Sequence, residues 1–206
     1  LFPFHLWLPP AHAGAPAAGS AVLSALVVKG SLFLLMRLWF DTFPSLREPA
    51  DMQLLALLGA LAVIIGSVTA LRQQRLKLLV AYSTVAQIGY LFLMFPLVGA
   101  TPLASSAWTG GILQAVSHAL AKAAMFLSAG LLAKALGHDR IAGLAGVGRV
   151  LPMSIFAFGL GGLSLMGLPP SGGFVAKWLL LRASIEAGQW WWSLVIVTGG
   201  LFTGGY

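Results

Sequence analysis

Cysteine is absent, and acidic residues are scarce: five among 206, at Asp41, Glu48, Asp51, Asp139 and Glu186, all in loops or near predicted helix ends. The missing thiols exclude thiol catalysis, iron–sulfur ligation, disulfides and cysteine-based zinc sites. Charged residues of both signs make up 8% of the chain, against roughly 25% in an ordinary soluble domain, which excludes a water-soluble globule. The formal charge of +7 is compatible with nucleic-acid binding, but the twelve Lys and Arg are scattered, without a basic run or a recognition motif. No Walker or dinucleotide glycine pattern occurs, the glycine clusters lying beside prolines or inside apolar runs. His118 beside Ser117 lacks an acid for hydrolysis, and one helical histidine without a second axial candidate makes no case for haem. His5 and His12, seven apart in a proline-rich segment without acids, do not make a metal site.

What the chain has in quantity is apolar length. Hydrophobic residues are 59% of the total, mean hydropathy is +0.93, and runs near twenty residues recur, about the length a helix needs to cross roughly 30 Å of hydrocarbon. The fold class expected is therefore all-α, a polytopic transmembrane helical bundle in one domain over 1–206. Residues 1–16, with four prolines and Trp7, predict irregular or interfacial structure. Apolar helices are expected at 17–40, 52–71, 78–97, 103–134, 152–168 and 174–187, and from Trp190 onward. The fourth is longer than a span requires, so Gly110-Gly111 is expected to separate an interfacial lead from the crossing part. The opening Leu1-Phe2-Pro3-Phe4 without Met, and the stop at Gly204-Gly205-Tyr206 inside an apolar run, predict a fragment truncated at both ends.

Short loops rich in Lys and Arg face the cytoplasm. Arg72, Arg75 and Lys77 lie in one loop, and Lys134, Arg140 and Arg149 in another region two spans later. Both are expected on the cytoplasmic side, with the 41–51 loop opposite. Trp190, Trp191 and Trp192 read as an interfacial anchor.

Three lysines fall within or beside these helices, where a charge near the bilayer centre costs about 3 kcal/mol on insertion scales. Lys29 is near the middle of the first helix, too far from either end to snorkel easily. A structural lysine paired with a carboxylate is the plainer reading, but the partner would have to come from outside this chain. His118 and Lys122, four apart, share a helix face in adjacent turns, with Ser117 and Gln114 nearby, an arrangement fit for passing a proton. A hydrogen-bonded packing histidine is the alternative. Lys177 follows Gly167, Pro169, Pro170, Gly172 and Gly173, a cluster that breaks the helix. Such a break at membrane depth must line a hydrated cavity, whereas an ordinary surface loop would leave Lys177 interfacial; length alone leaves both open.

Four motifs in order carry a family resemblance. They are Pro3-Phe4-His5-Leu6-Trp7-Leu8-Pro9-Pro10-Ala11-His12 with Ala15-Pro16 and Lys29; Arg75-Leu76-Lys77-Leu78-Leu79-Val80-Ala81-Tyr82-Ser83-Thr84-Val85-Ala86-Gln87-Ile88-Gly89-Tyr90; His118-Ala119-Leu120-Ala121-Lys122-Ala123; and Gly167-Leu168-Pro169-Pro170 with Gly173-Phe174-Val175-Ala176-Lys177. The chain resembles the antiporter-like subunits of respiratory complex I and of Mrp-type cation/proton antiporters. That resemblance implies an inverted-repeat fold with broken helices and a hydrated chain of buried lysines, histidines and a glutamate. It implies that Lys29, Lys122 and Lys177 are the central and exit lysines and that His118 is the relay histidine. The family's glutamate and first channel lysine would lie upstream of Leu1. Two departures stand out: Pro9-Pro10-Ala11-His12 lacks the aspartate of the usual Pro-Asp-Ala-His, and Lys177 is closer to the L and N subunits and the Mrp D subunit than to the M type.

The function expected is that of a proton-translocating membrane subunit of a complex I-like NADH:quinone oxidoreductase, itself non-catalytic and binding no cofactor. Its partners would be other membrane subunits, the lipid bilayer and protons, with no nucleic acid, and its location a bacterial or archaeal inner membrane. An Mrp-type Na+/H+ antiporter subunit is the first rival. Sodium prefers oxygen ligands, whereas the ionisable groups in these helices are mainly nitrogens. The second rival is a non-conducting structural subunit, which would retain three charges in lipid to no purpose.

Overall fold

The structure is a computed structural model that describes residues 3–43, 48–98 and 104–206. Two prolines in the first turn, where no amide donor is needed, start the short helix α1, Leu8–Gly14. Helix α2, Ala17–Thr42, follows and contains two π-helical turns, Leu23–Val27 and Leu38–Thr42. Pro49 opens α3, Pro49–Leu71, and a tight turn leads to α4, Leu76–Phe92. Helix α5 spans Ala104–Leu136, and two 3-10 turns, Ile141–Leu144 and Val147–Arg149, lead to α6, Pro152–Met166. Helices α7, Gly172–Glu186, and α8, Trp190–Gly205, complete the bundle. No strand occurs among the described residues.

The chain forms an α-helical membrane bundle. Three helices, Ala17–Thr42, Pro49–Leu71 and Ser106–Leu136, are long and apolar enough to cross a membrane. Leu26, Phe33, Leu57, Leu120, Leu131, Phe156 and Leu201 project outward, at least half exposed, as expected where the surrounding solvent is hydrocarbon. Helix α4 is enclosed by α1, α3 and α5, and fourteen of its seventeen residues are buried. It approaches α3 at backbone distance: a Cβ on Gly59 would stand 2.7 Å from Gly89 O, and one on Gly89 would run into Gly59 O. Small residues at such crossings let helices gain dispersion contact where no hydrophobic force between them exists.

Three expectations are corrected. Residues 8–14 are helical, because Pro9 and Pro10 occupy the first turn and leave its hydrogen bonds intact, and the helix buries Leu8, Pro9 and His12 against the bundle. Gly110-Gly111 does not interrupt α5; both glycines serve close packing, Gly110 against Ala176, Leu179 and Leu180, and Gly111 against Met94. Helix α4 stops at Phe92, five residues early, and residues 93–98 continue as turns, buried through 97.

The two basic loops meet. Leu76 N donates to Asp139 O at 2.8 Å, Ile141 N to Gln74 O at 2.9 Å, and Arg75 Nε to both Asp139 carboxylate oxygens at 3.0 and 3.1 Å. Both loops therefore occupy one end of the bundle. Because the chain has no cysteine, single-cysteine variants can report sidedness: Arg72→Cys and Arg149→Cys should react with an impermeant maleimide from the cytoplasmic side, and Asp41→Cys from the other. Labelling of the first two from opposite sides would overturn the topology.

Candidate functional site

The buried polar groups gather on the facing sides of α2, α4 and α5 and at the end of α6. Val80, Ser83, Thr84 and Gln87 recur on one face of α4 at helical spacing, and all are buried. Gln114, His118 and Lys122 stand one turn apart on α5, all 1% exposed or less.

Two connected clusters result. In the first, Lys122 Nζ donates to Val80 O at 2.8 Å and to Ser83 Oγ. Thr84 Oγ1 also donates to Val80 O, at 3.0 Å, and shares a 3.1 Å hydrogen bond with Ser24 Oγ of α2. Lys29 Nζ donates to Ser24 O, five residues back, across the π-helical turn. Lys29 is half-buried rather than enclosed, with its ammonium turned back along the helix.

The second cluster forms at the helix break. Helix α6 ends at Gly167, whose φ of 88° is the left-handed conformation that closes a helix, and Leu168 N bonds back to Leu163 O at 3.2 Å. Pro169 and Pro170, joined by a cis peptide, carry the chain to Ser171, whose Oγ accepts from Phe174 N at 3.2 Å and caps α7. Gly172 and Gly173 lie in the first turn of α7, where Gly173 packs directly on Ser164 O and Gly172 on Ser117. Lys177, one turn on, donates to Leu165 O at 2.5 Å and Met166 O at 3.2 Å, with its ammonium 4.5 Å from the Tyr90 ring centre. Leu165 O also accepts from Gln87 Nε2 at 3.2 Å, and Gln87 Oε1 from Gln114 Nε2 at 3.0 Å. Thr203 and Tyr206 extend this hydrogen-bonded set to α8. The open groove beside Lys177, about 420 Å³, is walled mainly by apolar side chains including Leu168, Phe174, Trp178 and Ile196, so the polar surroundings of Lys177 are the carbonyl ends of α6 rather than that groove.

His118 stands between the clusters, one turn from Gln114 and one from Lys122, and neither ring nitrogen has a hydrogen-bond partner among the described residues. None of Lys29, Lys122 and Lys177 pairs with a carboxylate among the described residues; the ion pairs found, Arg37–Asp41, Arg75–Asp139 and Arg182–Glu186, lie in loops or at helix ends. No group of three His, Cys, Asp or Glu suited to a metal occurs among them either.

Sequence reasoning missed Ser24, Ser83, Thr84, Gln87, Thr203 and Tyr206 as connectors, because a hydroxyl or amide in an apolar run carries no sign of its partner. It also missed His12, which is fully buried and stacked on Phe126 of α5, ring centres 4.5 Å apart at 17°. His12 belongs to α1, outside the three spans, and burial, followed by the charges of Lys122 and Lys29, lowers its pKa to about 4.

A family model described as NADH:quinone oxidoreductase/Mrp antiporter, TM, matches residues 1–203. NADH-quinone oxidoreductase subunit N of Desulforudis audaxviator is 35% identical over 207 residues, covering 100% of this chain and 40% of the relative. F(420)H(2) dehydrogenase subunit M of Methanosarcina mazei is 36% identical over 181 residues, covering 87% of this chain and 35% of the relative. Among solved structures, a chain of the Mrp complex from Dietzia aligns with a TM-score of 0.90 at 29% identity, covering 98% of this chain and 37% of its own length. A chain of respiratory complex I from Thermus thermophilus aligns at 0.75 and 31%, covering 100% of this chain and 44% of its own length. The chain thus spans 35–40% of the length of these two curated relatives.

Proposed function

We propose a proton-conducting role for this chain, because it belongs to the NADH:quinone oxidoreductase/Mrp antiporter transmembrane family and holds its ionisable groups as a pathway requires. It acts as part of a proton-translocating membrane subunit in a complex I-like NADH:quinone oxidoreductase, beside other membrane subunits and without a cofactor of its own. The observation that carries this reading is three enclosed or half-enclosed amines bonded to carbonyls and a hydroxyl, with the His118 imidazole between them and no carboxylate among the described residues to neutralise them. Charges of one sign are retained in such surroundings when they serve an ion or proton path. A proton passes along Lys29, Lys122, His118 and Lys177 through the connecting groups and bridging water, and the broken end of α6 supplies the carbonyls that receive the Lys177 ammonium.

Lys177 provides the test. Lys177→Met keeps length and removes the proton carrier, so coupled proton movement into vesicles holding the assembled complex should fall by about 10²-fold at unchanged complex content. Wild-type movement in that variant would remove Lys177 from the pathway.

The Mrp complex chain gives an Mrp-type Na+/H+ antiporter subunit a specific claim as a second reading. The nitrogen-rich site favours protons over sodium within this chain. Replacing sodium by choline separates the two: persistence of proton movement supports the redox-driven complex, and a strict sodium requirement supports the antiporter.

A further inference from the structure

We propose that His12 is a proton-loading residue, exchanging a proton with Lys122 around the Phe126 ring and linking the lysine cluster to the membrane face formed by the 72–75 and 137–141 loops. The inference rests on the proton-conducting reading and adds an access route to it.

Three observations place the residue. First, the imidazole is fully buried, and neither nitrogen has a hydrogen-bond partner among the described residues. Buried polar groups are almost always satisfied, and two orphaned nitrogens on one ring call for a functional account. Second, Phe126, on which the ring stacks, continues the α5 series Gln114, His118, Lys122 by one more turn. That is ~6 Å nearer the Leu136 end of α5 at 1.5 Å per residue, and this end leads into the 137–141 loop. Third, α1 is anchored to the same face: Lys77 Nζ, in the first turn of α4, donates to Ala15 O at 3.0 Å, and Ser20 Oγ holds His12 O at 3.0 Å. His12 therefore lies between Lys122 and that face, on a helix tied at its C-terminal end.

Among the described residues, the charged groups that act on His12 are of one sign. Lys122 faces it from α5 and Lys29 from α2, both within electrostatic reach, and Lys77 of α4 is bound to the end of its own helix. Burial disfavours the protonated imidazole throughout, more so while Lys122 is charged and less so once Lys122 has passed its proton on. The step is balanced: an imidazolium N–H gives its proton to water, which gives one to the Lys122 amine, and the neutral imidazole is reloaded from the face. Phe126 allows no direct hydrogen bond across its ring, so transfer runs past its edge.

The test uses the full-length subunit in its assembled complex, with coupled proton movement into vesicles expressed per mole of complex. His12→Asn should lower it at least tenfold, and in His12→Ala added imidazole should restore a measurable part, which replacement of a purely structural ring would not allow. If His12→Asn reduces assembly, His12→Gln is measured per complex instead. A wild-type rate in either amide variant, or a loss in His12→Ala that imidazole does not relieve, overturns the loading role. Lys122→Met serves as the separate control. If it abolishes movement while His12→Asn does not, only the His12 route fails; if it leaves movement intact, the lysine pathway itself fails.

Discussion

Replacing Lys122 by Met is expected to abolish coupled proton movement, with a fall of about 10²-fold or more, while leaving the complex assembled. Lys122 is fully buried, and its ammonium donates to Val80 O and Ser83 Oγ, where the two best-connected helices meet. Methionine has similar length and relieves the desolvation of a charge, so assembly should survive. Lys122→Arg should not rescue transport: guanidinium stays protonated and cannot hand a proton onward. Proton uptake by vesicles of equal complex content decides between these outcomes, and transport by the Arg variant would show that Lys122 acts as a fixed charge rather than a carrier.

An equally large effect, on stability this time, is expected at the α3–α4 crossing. Gly89→Val would drive a side chain into Gly59 O and Val63, contacts made by backbone and by a fully buried residue that cannot retreat. Overpacking of this kind costs about 1–3 kcal/mol or more, and with backbone in the way the upper end is expected. The thermal midpoint of the detergent-solubilised complex should drop by several degrees and its yield should fall. Gly30→Ala is the control: a Cβ there meets nothing within 4 Å, and the midpoint should not fall. Equal behaviour of the two variants would show that the close approach is not what holds these helices together.

Much of the bundle was legible because a twenty-residue apolar run has few alternatives in hydrocarbon. The break at Gly167 and the two prolines was legible because missing amide donors act locally. What depended on partners was not. Gly110-Gly111 looked like an interruption of α5 and instead fits Met94 and α7 closely, since a glycine pair reads the same whether it loosens a helix or admits a neighbour. Residues 8–14 looked irregular because four prolines precede α2, yet prolines in a first turn start a helix rather than stop one. Lysines and a histidine in apolar runs announced themselves by the expense of placing them there. Their connectors did not: Gln87 is one amide in a long apolar stretch until α6 and α5 bring Leu165 O and Gln114 to it.

The π-helical turn at Leu23–Val27 carries a consequence for how this chain can vary. At 100° per residue in a regular helix, Ser24 and Lys29 would sit about 140° apart around the axis; the wider turn closes that gap and lets Lys29 reach back to Ser24 O. The stretch holds one residue more than a regular helix would. A one-residue deletion inside that turn would leave Ser24 and Lys29 four apart in a regular helix, about 40° apart around the axis, so the helix beyond keeps its orientation. Lys29 would keep its face, and what is lost is the wide turn and the bond across it to Ser24 O. A change of residue count is thus absorbed at this turn, whereas the same deletion in a regular stretch of the helix would rotate everything beyond it by about 100°.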